Sequence, residues 1–249
     1  MHRKEFYMPL PYTGSHGELN FEADFVEELR HAGWQEVLKN KTVPELIDNW
    51  RNIIFKRNRD TLNDIPLSDS EMDYLLDVMR LQANTPVKAN HFINGPAVGI
   101  KRDSDSPDQQ HAGKEVFLDL FSSTEIAGGT SRYQIAEQTQ FDTSDKYNDR
   151  RGDITLLING MPVIHIELKA AGVDIAEATA QIRKYHQEGI FRGFMGLVQV
   201  FWAVSPDDAL FFANPGDADR FNPSFFFRWG DRDNSIIKDW RELITGEYH

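Results

Sequence analysis

The sequence predicts an α/β protein in which helices flank a mixed β-sheet and the N-terminal third is helical. Three observations support this prediction. Apolar residues recur at helical spacing through residues 1–90, short segments rich in β-branched residues follow from about residue 97, and a helical segment interrupts these strands near residue 180. Strands interrupted by a crossing helix are typical of a sheet covered by helices.

The first third is predicted to contain three helices. They cover residues 20–33, 44–56 and 68–82, where apolar side chains recur at intervals of three and four residues. Asn20 is the expected N-cap of the first helix, and Gly33 is its expected stop.

The remainder is predicted to be mainly β-structure within one domain that spans residues 1–249. The helical part is expected over about 1–90 and the sheet core over about 95–249. The expected strands lie in AVGIKR, EVFLDLF, SRYQIAEQTQF, a hairpin, GLVQVFWAVS and ALFFAN, with a helix at about 174–188 and a last helix in the tail.

The hairpin lies in RRGDITLLINGMPVIHIELK, residues 150–169. Two aliphatic runs flank the pair Asn159-Gly160, which is a strong signal for a two-residue β-turn. Folding at this turn brings the far ends of both runs together. Asp153 is therefore expected to lie close to Glu167 and Lys169, so that two carboxylates and an ammonium group share one site. The alternative is a salt bridge on a solvated face, because such residues are mostly exposed.

Composition limits the chemistry and the location of the chain. The sequence contains no cysteine, which excludes disulfides, thiolate zinc sites and cysteine nucleophiles and is consistent with a reducing, cytoplasmic compartment. No apolar run approaches the roughly 18 residues of a membrane span, and residues 1–14 lack the apolar stretch of a signal peptide. No association with a membrane is therefore expected.

The charge balance limits the possible partners. The net charge of −12 argues against a chain that coats nucleic acid through a broad basic surface. The sequence also lacks a G-x-x-x-x-G-K-[ST] motif, so ATP binding by a P-loop is not expected.

These motifs together resemble a known family. Asp153, thirteen residues and then Glu-Leu-Lys at 167–169 resemble the PD-(D/E)xK nuclease signature. The helix with Gln-x-x-x-Tyr at 181–185 and the early segment FEADFVEELRHAGW are similar to the N-terminal nuclease domain of type I restriction enzyme R subunits, and the similarity extends through FFRWGD. The resemblance implies a restriction-endonuclease-like fold and a single nuclease domain. One departure is Gly152, where the family usually has proline.

The resemblance implies a Mg²⁺-dependent endonuclease that cleaves DNA phosphodiester bonds. Asp153, Glu167 and the carbonyl of Leu168 are the expected metal ligands, because hard oxygen donors with open water positions suit magnesium. Lys169 is expected to orient the attacking water or to stabilise developing negative charge.

The helix after the hairpin carries the expected supporting residues. Gln181 and Tyr185 are four residues apart and should share an exposed helix face. The resemblance implies that they hold DNA or support the catalytic group, and the alternative is an ordinary polar helix surface. A small basic patch for phosphates is expected beside them, and the alternative is an ordinary solvated run of charges. The patch consists of Arg150, Arg151, Arg183 and Lys184.

Two further residues are candidates with open alternatives. Glu22 is either a third acidic residue of the site, as the resemblance implies, or a surface glutamate in the first helical turn, where the helix dipole favours it. His165 shares a strand face with Glu167 and is either a supporting partner of that carboxylate or a histidine satisfied within the sheet.

The resemblance also implies partners. They are DNA and the modification (methyltransferase) and specificity subunits of a restriction complex, whereas ATP would bind only a motor domain that is not expected within this sequence. The chain is accordingly expected to be an isolated nuclease portion. The alternatives are a non-catalytic docking module within a restriction complex and a solitary nuclease with its own partner.

Overall fold

A computed structural model describes residues 12–13, 16–95, 97–121, 131–141 and 150–246. The N-terminal stretch that lacks a signal-peptide pattern falls largely outside these residues. The helices in the described part are α1 (Gly17–His31), α2 (Val43–Arg57), α3 (Asp69–Gln82), α4 (Pro86–Ile93), α5 (Ile175–Gln187) and α6 (Trp240–Thr245). The strands there are β1 (Glu36–Lys39), β2 (Val98–Lys101), β3 (Glu115–Leu118), β4 (Tyr133–Phe141), β5 (Arg150–Ile158), β6 (Met161–Leu168), β7 (Val200–Val204) and β8 (Ala209–Ala213).

Six strands form one mixed sheet in the order β1-β4-β5-β6-β7-β8. The pairs β1–β4 and β6–β7 are parallel, and the other neighbours are antiparallel. Strands β2 and β3 form a separate antiparallel pair. The predicted α/β class with a mixed sheet is confirmed.

Helices cover both faces of this sheet. One apolar cluster lies between one face and α2 to α5, and it includes Trp50, Ile182 and Phe201. The other lies between the opposite face and α1 and α6, and it includes Phe21 and Trp240. Each large apolar side chain buried in this way contributes about 1.5–3 kcal/mol. In the described part of the chain, no helix has the length and apolar character needed to cross a bilayer.

Strand β1 lies in the N-terminal stretch for which the sequence predicts helices alone. It pairs in parallel with β4, where Glu36 lies opposite Gln134. Four residues are too few for an alternating pattern to be recognised, so this edge strand had no usable sequence signal. Helix α4 was also not predicted, and its eight residues begin after the capping residue Thr85.

Helix α1 begins one turn earlier than predicted. Its N-cap is His16 rather than Asn20, and the His16 side chain makes no capping hydrogen bond. Close packing at this start requires glycine, because a Cβ atom at Gly17 would lie 2.5 Å from main-chain atoms of Tyr12. At the other end the helix stops at His31, and Gly33 follows with φ of +107°.

The predicted hairpin is formed by β5 and β6. Asn159 and Gly160 make the turn with φ of +50° and +83°, as a type I′ turn requires. Gly160 also packs against α2, because a Cβ atom there would lie 2.9 Å from Cα of Trp50. The register of the hairpin shifts by one residue between Leu156 and Leu157, so the turn and this irregularity together set the pairing at the far ends of the two strands.

Candidate active site

The predicted convergence of charges occurs at the end of the hairpin opposite its turn. Asp153 Oδ2 accepts a hydrogen bond of 2.7 Å from the backbone N–H of Leu168. Lys169 Nζ donates a hydrogen bond of 2.9 Å to the carbonyl oxygen of Leu168. Glu167 directly precedes Leu168 on β6, and its side chain is fully buried. The alternative of a solvated salt bridge is therefore wrong for Glu167.

A chain of hydrogen bonds holds one oxygen of Glu167. His165 Nε2 lies 2.9 Å from Glu167 Oε1, and His165 Nδ1 lies 3.1 Å from Thr155 Oγ1. An ionised carboxylate can only accept, so with Glu167 ionised His165 carries its proton on Nε2 and the Thr155 hydroxyl donates to Nδ1. Two alternatives were open for His165, and its contact with the carboxylate favours a supporting partner of Glu167. The second oxygen, Oε2, has no hydrogen-bond partner among the described residues.

Burial opposes ionisation of both carboxylates. Burial raises the pKa of Glu167 to about 8, although Lys169 acts in the opposite direction. Burial also raises the pKa of Asp153 well above its usual range, and the nearby Glu167 adds to this effect. Two acids that are desolvated and close together favour a bound cation, because the cation stabilises their charged forms.

Helix α1 brings two more carboxylates to the site. Glu22 is 5% exposed, and its Oε2 accepts a hydrogen bond of 3.1 Å from Gln138 Nε2. Glu18 Oε2 lies 4.0 Å from Lys169 Nζ. Burial raises the pKa of Glu22 to about 7, and Asp153 contributes to the increase.

This geometry corrects one prediction for α1 and adds a residue. Because the helix begins at Gly17, Glu22 lies in its second turn and is buried, so the surface alternative with a dipole explanation is wrong. Sequence reasoning missed Glu18, although a residue four positions before Glu22 on a helix shares its face.

Tyr185 is buried at 4% exposure, which corrects the expectation that it lies on an exposed helix face. Its hydroxyl accepts a hydrogen bond from Gln181 Nε2 and donates one to the backbone carbonyl of Arg151, both at 2.8 Å. The phenol ring packs against His165, with the ring centroids 6.2 Å apart. Tyrosine suits this position because its ring is apolar and its hydroxyl finds partners. Gln181 is partly exposed.

A surface cavity of about 500 Å³ lies beside α5. Gln181, Lys184 and Tyr185 line it together with Arg150. Arg150 forms two hydrogen bonds of 2.7 and 2.9 Å with Glu188, so part of the local positive charge is neutralised. The cavity is also lined by the carboxylate of Glu177, so among these side chains Gln181 and Lys184 are the donors that suit a phosphate group.

Gly152 fits the packing around the site. A Cβ atom at this position would lie 2.6 Å from His165 Cε1 and 2.8 Å from ring atoms of Phe141. The two rings fill the space that a side chain would need. In this chain the residue before Asp153 can therefore be neither proline nor alanine without a shift of its neighbours.

The donors fit magnesium with water as additional ligands. Asp153 and Glu167 offer carboxylate oxygens, and Leu168 offers a carbonyl with a second lone pair. Among the described residues, no three His, Asp or Glu side chains converge into a metal-binding group. Glu22 is therefore near the two carboxylates without completing a cage of three acids.

The fold and this site define an α/β protein in which two acidic residues and a lysine cluster at the end of a β-hairpin. The chain belongs to the family described as type I restriction enzyme R protein N terminus, whose model matches residues 18–220. This range contains every residue of the candidate site, from Glu18 to Tyr185.

Three relatives support this assignment. The chain is 29% identical over 227 residues to the type I restriction enzyme SsaAORF53P endonuclease subunit of Staphylococcus saprophyticus, which covers 91% of this chain and 22% of the relative. It is 27% identical over 222 residues to the type I restriction enzyme SauMSSORF170P endonuclease subunit of Staphylococcus aureus, and this match covers 88% of this chain and 22% of the relative. It is 34% identical over 116 residues to the type I restriction enzyme EcoprrI endonuclease subunit of Escherichia coli, and this match covers 46% of this chain and 37% of the relative. The chain thus spans about a fifth of the length of the two staphylococcal relatives.

Proposed function

We propose that this chain is the Mg²⁺-dependent endonuclease part of a type I restriction R subunit and hydrolyses phosphodiester bonds in DNA. The observation that carries the proposal is the cluster formed by Asp153, Glu167 and Lys169 at the end of one hairpin. The backbone of Leu168 fixes the first carboxylate and His165 fixes the second. The names of the relatives as endonuclease subunits support the same activity.

Each residue has a defined task in this proposal. Asp153, Glu167 and the carbonyl of Leu168 hold Mg²⁺, which acts as a Lewis acid and neutralises charge on the phosphate. Lys169 Nζ lies against the carbonyl of Leu168 and is therefore close to the metal ligands. From there its ammonium group orients the attacking water or stabilises negative charge on the phosphate.

DNA binds along the cavity beside α5. Gln181 and Lys184 donate hydrogen bonds to phosphate oxygens, and the exposed side chain of Arg151 adds positive charge at the start of the site. Tyr185 acts indirectly, because its hydroxyl holds the backbone two residues before Asp153. Site recognition, modification and ATP-driven translocation belong to other parts of the restriction complex.

Plasmid cleavage by the purified chain tests the proposal. Supercoiled DNA is incubated at low ionic strength with the parent, Lys169→Ala and Lys88→Ala, with Mg²⁺ or with a chelator. The exposed Lys88 of α4 is the matched control. Mg²⁺-dependent nicking by the parent and Lys88→Ala, but not by Lys169→Ala, is expected. Equal cleavage by all three proteins would contradict the role of Lys169.

A further inference from the structure

Gln138 occupies an interruption in the pairing of β4 with β5. The neighbours of Gln138 pair with the neighbours of Asp153, but these two residues do not pair with each other. Gln138 also has φ of +55°. This left-handed conformation costs a non-glycine residue about 1–2 kcal/mol, so other interactions must offset the cost.

The side chain of Gln138 connects β4 to α1. Its amide donates to Glu22 Oε2 at 3.1 Å, and Glu22 Oε1 has no hydrogen-bond partner among the described residues. Gln138 is only partly buried, and its side-chain contact with Glu22 is the interaction that accompanies the strained backbone. Strain of this kind concentrates at functional sites.

We propose that Gln138 is a positioning residue that holds Glu22 toward Asp153 and Glu167, so that Glu22 contributes to binding of the divalent cation. This inference rests on the proposed function.

Glu22 would act on the cation through a water molecule, because it does not join the two other carboxylates in a direct group of three ligands among the described residues. Magnesium usually keeps several of its waters in protein sites, and Glu22 has a buried oxygen available to accept from one of them. Partners beyond the direct ligands commonly change metal affinity by about 10–100-fold when they are removed.

Replacement of Gln138 by glycine separates the backbone from the amide. Glycine adopts positive φ at no steric cost, which offsets part of the stability lost with the hydrogen bond to Glu22, so metal-free Gln138→Gly should still fold. The lost amide should weaken Mg²⁺ binding by about tenfold, as measured by isothermal titration calorimetry. Glu22→Gln, which leaves the backbone of β4 unchanged, should weaken binding to a similar extent.

The matched control is Gln140→Gly. Gln140 is exposed on the same strand, two residues further along, and its φ is not positive. This variant should have a lower melting temperature with an unchanged Kd for Mg²⁺. Gln138→Gly in the Glu22→Gln background should produce little further loss of affinity, because both changes remove the same contribution.

The outcomes separate this inference from the proposed function. Two results would overturn the role of Gln138 and leave the proposed function standing. One is an unchanged Kd for Mg²⁺ in Gln138→Gly. The other is an equal loss of affinity when Gln138→Gly is made in the parent and in the Glu22→Gln variant. No binding of Mg²⁺ by the parent would overturn the proposed function itself, and this role with it.

Discussion

His165 Nε2 and Glu167 Oε1 lie 2.9 Å apart, and both side chains are fully buried. This hydrogen bond fixes one oxygen of the carboxylate, and the other oxygen has no hydrogen-bond partner among the described residues. Thr155 completes the arrangement from the neighbouring strand, because its hydroxyl lies 3.1 Å from the second nitrogen of the imidazole ring. If Glu167 binds the proposed Mg²⁺, the orientation of this ligand is set by residues that do not touch the metal.

Thr155→Val should weaken Mg²⁺ binding several-fold. The change nearly preserves the shape of the side chain but leaves the imidazole Nδ1 without its partner, so the ring is less well oriented. Loss of the hydrogen bond should also lower the free energy of unfolding by about 1 kcal/mol. Calorimetric titration with Mg²⁺ and urea denaturation measure the two effects.

Thr139→Val provides the control for this change. Thr139 is also fully buried, but its Oγ1 has no hydrogen-bond partner among the described residues. Its replacement should leave Mg²⁺ affinity unchanged and stability unchanged or improved. Equal metal affinities for the parent and both variants would show that the hydroxyl of Thr155 does not orient the site.

Gly152→Ala should lower the free energy of unfolding by about 1–3 kcal/mol, because a Cβ atom would overlap the rings of His165 and Phe141. Urea denaturation measures the loss. Gly196→Ala is the comparison, since a Cβ atom at Gly196 meets nothing closer than 3.5 Å. Equal stabilities of the two variants would mean that the rings move aside without cost.

His186 should make the fold sensitive to acid. Burial lowers the pKa of its imidazole to about 4, below the value of about 6.5 expected in the unfolded chain. Its contribution to stability is present above pH 6.5 and is lost as the pH falls through 4, because the unfolded chain binds the proton first.

The test of this pH dependence uses His186→Phe, which keeps an aromatic ring and does not titrate. The parent should lose on the order of 1–3 kcal/mol more stability than the variant between pH 7 and pH 4. Urea midpoints at both pH values measure the difference. Parallel losses in the two proteins would remove His186 as a cause.

The isolated chain should bind plain duplex DNA weakly at about 150 mM salt, because affinity for DNA depends largely on cation contacts with phosphates. The net charge of −12 opposes such contacts. Fluorescence anisotropy at several salt concentrations measures the affinity, and Lys184→Ala should reduce the salt slope by about one. Submicromolar binding with a steep slope at that salt concentration would be contrary to this expectation.

The hairpin and its charged end were predictable because the signals are local. The Asn159-Gly160 turn predicts a hairpin whose far ends meet, and the period of two places Glu167 and Lys169 on one face. The register shift between Leu156 and Leu157 has no such local signal. Burial of Tyr185 and Glu22 was not predictable in the same way. Helical spacing shows which residues share a face, whereas the packing of α1 and α5 on the sheet decides whether that face reaches solvent.

The role of Gln138 has no signal in the sequence. A glutamine inside a β-strand pattern gives no indication of positive φ, which is uncommon for residues other than glycine, asparagine and aspartate. The contact with Glu22 joins residues 116 positions apart, so it exists only once α1 packs beside β4.

Thermal unfolding with and without several millimolar Mg²⁺ tests the metal site most directly. The parent is compared with Asp153→Asn and Glu167→Gln, which keep the shapes of both side chains. Mg²⁺ bound only by the folded parent should raise its melting temperature. Both metal-free variants should fold and be no less stable than the parent, because each replaces a buried acid whose ionisation the fold opposes, and neither should respond to Mg²⁺. A shift that persists in both variants, or no shift in the parent, would contradict a magnesium site formed by Asp153 and Glu167.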